Sequence, residues 1–165
     1  MTRIGVVADT HGNIRLLSKA VREMGAVDVL IHLGDFAADI GRISADSKPA
    51  RTMAVRGNGD YDHSFSDEMS VEIDGRRFFI THGNRYDPYF SFDSMMEKAF
   101  MEECDVLLFG HTHVPVNTRR NDILIFNPGH MHPGAREGSY GILEIDSGRI
   151  GAEIRTINNI YLKGA

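Results

Sequence analysis

Seven side chains with nitrogen or oxygen donors stand just beyond apolar runs: Asp9, His11, Asp35, Asn58, His82, His111 and His113. The densest point is Phe109-Gly110-His111-Thr112-His113, where two imidazoles lie two residues apart directly after the run 105–109. If that run is a strand, alternation sends residues two apart to one face, so both rings would converge at its end. A histidine pair alone is also an ordinary loop feature, and a lone Asp or Asn there is an ordinary cap or turn residue. As a set the donors are coherent. They are about what two divalent cations need, and without thiolate they suit manganese, iron, zinc, cobalt or nickel rather than a structural zinc. A shared carboxylate would hold such a pair about 3.5–4 Å apart, the spacing that activates water and stabilises phosphoryl oxygens. Asp35 is the candidate bridge.

Those donors need elements to present them. Residues 4–8 are continuously apolar up to Asp9, the pattern of a strand buried on both faces. From Asn13, a suitable cap, Ile14, Leu17, Val21 and Met24 recur at helical spacing until Gly25. Residues 27–33 read as a second strand ending at Gly34-Asp35, with His32 a partly buried side chain within it. Residues 36–46 are weakly helical, and 52–55 form a third strand opening into Arg56-Gly57-Asn58-Gly59-Asp60. Asp74-Gly75 joins arms 68–73 and 76–81 of a hairpin that runs into His82-Gly83-Asn84. Phe92, Met95, Met96, Ala99 and Phe100 mark a second helix, its methionines and aromatics reading as core. Hairpins follow at 114–126, around Asn121, and at 140–157, around Asp146-Ser147-Gly148. Strand and helix alternate early and hairpins dominate late, which predicts an α/β (α+β) fold of two packed sheets with helices outside. Gly12, Gly34, Gly57, Gly83 and Gly110 lie beside the donors, where close backbone approach or positive φ excludes a Cβ.

Composition narrows the function classes. The 165 residues suit one domain, 1–165. A net charge of -5 argues against nonspecific nucleic-acid or membrane-surface binding. Cys104 is the only cysteine, which excludes a disulfide framework or a Cys-x-x-Cys pair and reads as a small buried hydrophobe ending a helix. No signal peptide is visible, and no apolar run approaches the roughly 18–20 residues of a membrane span, so a cytoplasmic protein is expected.

In order and placement, Asp9-Thr10-His11-Gly12, Gly34-Asp35, Gly57-Asn58-Gly59-Asp60, Thr81-His82-Gly83, Gly110-His111-Thr112-His113 and Asn127-Pro128-Gly129 resemble a known family. It is that of the calcineurin-like metallophosphoesterases, most closely their small bacterial and archaeal single-domain phosphodiesterases, and the match covers nearly the whole chain. The resemblance implies a four-layer sandwich of two mixed β-sheets flanked by helices, with two divalent metals at the sheet edge, manganese first among them. Carried over, Asp9, His11, Asp35 and His113 would hold one metal and Asp35, Asn58, His82 and His111 the other, with Asp60 steadying the ligand loop. The implied reaction is hydrolysis of a small phosphate ester by in-line attack of a hydroxide bridging the metals, without a covalent intermediate. Relatives are often dimers or larger, which makes a homo-oligomer an expectation.

Three positions depart from the family pattern. Many relatives follow the metal-binding Asn with a His that protonates the leaving group, and the small phosphodiesterases often have Cys there; this chain has Gly59. Losing such an acid costs about 10²–10⁴ in rate, so activated or diester substrates are expected over alkyl monoesters. Asn84 replaces a second His common after His82-Gly83, and His130 replaces the usual Ser after Asn-Pro-Gly. His130 and His132 lie in a loop with Pro128, Gly129, Pro133 and Gly134. That is either a plain surface loop or one in which His130 faces the metals and supplies the missing acid. Three competing readings carry less weight. A catalytically weak or inactive interaction scaffold of this fold should lack some donors, and here all seven positions are filled. An Asp9 phospho-acceptor domain leaves the later histidines idle, and a barrel hydrolase needs about 200 residues or more.

Overall fold

In the computed structural model, residues 1–160 are described. The first sheet is built on β1 (Thr2–Val7), which pairs in parallel with β2 (Val29–His32), itself parallel to β3 (Arg51–Ala54). On its other side β1 pairs antiparallel with β9 (Glu137–Asp146), which carries β10 (Arg149–Asn158) as the edge. The second sheet comprises β4 (Glu68–Ile73), β5 (Arg76–Thr81), β6 (Val106–Leu108), β7 (Val116–Arg120) and β8 (Ile123–Asn127), in the order β4-β5-β6-β8-β7. Its centre, β5-β6-β8, is parallel and both edges are antiparallel. The expected pair of mixed sheets is present.

Alternation along the strands builds the layers. In β5, Phe78 and Ile80 point between the sheets, where they pack in one cluster with Ile4, Val6 and Ile31 of the first sheet and Leu108 and Phe126 of the second. Phe79 points the other way, onto Met95 and Met96 of α2 (Asp93–Met101). Across the molecule Val7 and Leu30 face Leu16, Leu17 and Val21 of α1 (Ile14–Met24). Strands covered on both faces carry the unbroken apolar runs seen in the sequence. Asn13 caps α1, its Oδ1 accepting from Leu16 N–H at 3.3 Å. All three hairpin turns place two central residues at positive φ: Asp74 and Gly75, Asn121 and Asp122, Ser147 and Gly148. That backbone twist suits two-residue hairpins.

Two expectations need correction. The weak helix at 36–46 is instead a pair of short 3-10 segments, Ala37–Arg42 and Ala45–Ser47. Its first residue, Phe36, sits at φ 68°, a left-handed conformation that cannot open an α-helix. His32 is wholly rather than partly buried, because β2 is covered on both faces.

Candidate metal centre

The donor loops leave the carboxyl ends of β1, β2, β3, β5 and β6, all parallel within their sheets, so they open on one edge of the sandwich. Asp9, His11, Asp35, His111 and His113 all have positive φ, between 46° and 66°. Such conformations cost roughly 1–2 kcal/mol for an L residue and concentrate where function over-determines the backbone. They also correct the picture of a strand delivering a histidine pair. β6 stops at Leu108, and the left-handed turns at His111 and His113 separate the rings. His113 goes to Asp9, its Nε2 3.2 Å from Oδ1, whereas the His111 ring lies 5.1 Å from that of His82.

Asp35 stands between two groups of donors. Its Oδ2 is 3.6 Å from His11 Nε2 and its Oδ1 3.4 Å from His82 Nε2. Ligand atoms of Asp9, His11 and His113 lie within 4.8 Å of one another, as do those of Asp9, Asp35 and His82. Asp9, the member common to both triads, is the second carboxylate at the junction. Asn58 Oδ1 is 3.1 Å from His82 Nε2.

These atoms fit a cation. His82 Nδ1–H donates to the Leu33 carbonyl at 2.7 Å, which leaves Nε2 as the ring atom that faces the oxygens of Asn58 and Asp35. Asp9 Oδ1 and His11 Nε2 are buried, and among the described residues neither makes a well-formed hydrogen bond: His113 Nε2 lies 3.2 Å from the first and Asp35 Oδ2 3.6 Å from the second. Burying polar atoms without well-formed hydrogen bonds costs a few kcal/mol each unless a cation or a proton lies among them. Burial pushes the His111 pKa down, whereas the Asp9 carboxylate pulls that of His113 up.

The surrounding residues fix this geometry. Asp60 accepts from Ala37 N–H at 2.9 Å through Oδ1 and from Gly57 N–H at 2.8 Å through Oδ2, clamping two ligand loops together. A Cβ on Gly57 would sit 2.3 Å from Asp35 Oδ1, so only glycine lets that loop close on the carboxylate. Gly59 N–H donates to the same oxygen at 2.6 Å, and a Cβ there would lie 3.0 Å from it. Thr10, beside Asp9, donates to the buried Asp39 at 2.7 Å and lies 3.0 Å from His32 Nε2. Asp39 also accepts from Gly12 N–H at 2.9 Å. The sequence reading passed over this His32–Thr10–Asp39 chain; the only signals were a histidine inside a strand and an acid four residues after Asp35.

The loop after β8 approaches the same edge. Asn127 Nδ2 donates to Gly110 O at 2.9 Å and Thr112 Oγ1 at 3.1 Å, tying that loop to the one bearing His111 and His113. His130 packs 5.0 Å from His113 and His132 4.9 Å from His11, measured between ring centroids. Burial pushes both imidazoles below the ordinary histidine range. Asn84 and its loop bring no histidine to the donors, and the walls there are aromatic. Tyr89 lies against His111 at 5.3 Å and Phe36 against His11 at 5.4 Å.

This combination of mixed sandwich and Asp/His edge defines a class of phosphoesterases. The model of the calcineurin-like phosphoesterase superfamily domain matches residues 2–148, and the chain belongs to that family. A phosphodiesterase of Methanocaldococcus jannaschii is 31% identical over 144 residues, spanning 77% of this chain and 82% of that protein. A predicted phosphoesterase of Streptococcus pneumoniae matches with a TM-score of 0.76 at 29% identity, covering 94% of this chain and 89% of that one. A mutant Vps29 of Entamoeba histolytica has a TM-score of 0.75 at 16% identity over 95% of this chain and 100% of the other, a likeness of fold alone. Among the described residues no helix is long and apolar enough to cross a membrane.

Proposed function

We propose that residues 1–165 act as one unit, a cytoplasmic phosphodiesterase that hydrolyses a small phosphate ester with two divalent metals, manganese first among them. The observation that carries this reading is the buried pair Asp9 Oδ1 and His11 Nε2, neither of which makes a well-formed hydrogen bond among the described residues, beside an Asp35 carboxylate facing both His11 and His82. Asp9, His11, Asp35 and His113 would hold one metal, and Asp35, Asn58, His82 and His111 the other. When bound, the metals supply an activated water and positive charge for the phosphoryl oxygens. The chain's own residues set direction and protons. Leu33 O holds His82 in the tautomer that offers Nε2, and Gly59 N–H fixes one Asp35 oxygen. His130 accepts from His132 N–H at Nδ1, so its hydrogen is on Nε2. To serve as the acid absent at Gly59, the ring takes up a second proton at Nδ1, passes the Nε2 proton to the leaving ester oxygen and returns to this neutral form. The scaffold alternative would leave these donors idle, whereas every donor position of the catalytic reading is filled.

The test is a chelate-and-restore assay on paired aryl phosphate monoesters and diesters, scanning manganese, nickel, cobalt, zinc and magnesium. Chelation is expected to abolish hydrolysis, a transition metal to restore it with the diester favoured, and Asp35→Ala to remain inactive throughout. Activity indifferent to chelation, or absent with every metal, would defeat the reading.

A further inference from the structure

The loop carrying His130 and His132 is docked, not loose. Met131 between them is fully buried; its N–H donates to Asp9 O at 3.2 Å and its carbonyl accepts from Asn13 Nδ2 at 3.1 Å. With Met131 turned into the core, both flanking imidazoles project to the side of His11 and His113. The His132 ring is itself oriented. Gly134 N–H donates to Nδ1 at 3.1 Å, which makes Nδ1 an acceptor and leaves the hydrogen of the neutral ring on Nε2. Among the described residues that Nε2–H meets no hydrogen-bond partner, although the ring lies 4.9 Å from His11 and 6.2 Å from His113. An exposed donor of fixed tautomer, anchored by its own loop beside a cation-binding group, is suited to an anionic oxygen.

We propose that His132 is a phosphate-positioning residue, donating from Nε2 to a non-bridging phosphoryl oxygen of substrate and product on the His11–His113 side of the centre. The inference rests on the phosphoesterase reading. It gives His132 a task separate from that of His130: one imidazole holds the phosphoryl group while the other serves the leaving oxygen. Neutral N–H donors suit the singly charged phosphate of a diester, which needs orientation more than further charge.

Calorimetric titration of the manganese-loaded protein with inorganic phosphate tests this without turnover, after manganese affinity has been measured for each variant. His132→Ala is expected to weaken phosphate binding about tenfold, the lower end for a hydrogen bond to a charged group. His132→Gln, which can place an amide N–H near the former Nε2, should recover most of that loss. His132→Phe, which keeps the ring against His11 but has no N–H, should not. Unchanged phosphate affinity in the alanine variant, recovery by phenylalanine, failure of glutamine to recover, or a parallel fall in manganese affinity would each overturn the proposal. If phosphate binding follows the prediction while no ester is hydrolysed, the phosphodiesterase reading falls and the phosphate contact stands. If esters are hydrolysed and phosphate binding is indifferent to His132, the reverse holds.

Discussion

Gly59 gives up a side chain and places a backbone N–H on Asp35, 2.6 Å from Oδ1. In relatives that carry an acid there, one position would serve both leaving group and ligand loop; the proposed reading divides the two tasks here. His130 lies at the rim beside His113, and on the proposed reading it assists departure of the ester oxygen. Loss of a proton donor is felt most where the leaving group is poor. His130→Ala is therefore expected to slow aryl diesters of high leaving-group pKa by about 10²-fold or more while changing 4-nitrophenyl esters little, which a plot of log kcat against leaving-group pKa reads as a steeper slope. A parallel drop at all leaving groups would assign His130 a purely positional part. At this scale the sequence was legible in residue type and order, since every donor named from it lies at one edge. Their mutual orientation was not, because it depends on left-handed φ at Asp9, His11, Asp35, His111 and His113, which local pattern does not reveal.

Donors follow short strands that end abruptly, of which β2 and β6 are buried throughout. Continuous apolar runs made β1, β2 and β6 readable. The 3-10 segment Ala37–Arg42 was not, since it is held by tertiary contacts from Asp60 to Ala37 and by Asp39, which accepts from Thr10 and Gly12. His32 beneath that network has its pKa lowered to about 4 from 6.5, chiefly by burial. Folded His32 thus stays neutral while the unfolded chain takes up a proton between those values. The unfolded state binds more protons there, so stability rises with pH: it is full above about 6.5 and drains as pH falls toward 4. The linkage amounts to about 2 kcal/mol between pH 7 and pH 5. Urea midpoints of metal-free protein at the two pH values should show it, and His32→Gln should remove most of the difference. An equal pH dependence in the variant would assign the loss to other groups.

Over the whole molecule, two sheets packed on a shared apolar layer bring six strand ends, three from each, to one edge. Neither sheet alone holds a complete donor set: Asp9, His11, Asp35 and Asn58 follow strands of the first, His82, His111 and His113 strands of the second. The architecture was legible because hairpin signals and buried runs are local. The pairing of β6 with β8 in preference to β7 was not, being fixed by contacts distant in sequence. A centre shared between sheets should couple metal occupancy to packing across the sandwich. The most direct test of the account is therefore metal stoichiometry, measured by calorimetric manganese titration of the wild type and of His111→Ala and His113→Ala. The account predicts two ions per chain in the wild type, and one weakened site in each variant, a different one in each. A single ion in the wild type, or loss of the same site in both variants, would contradict it.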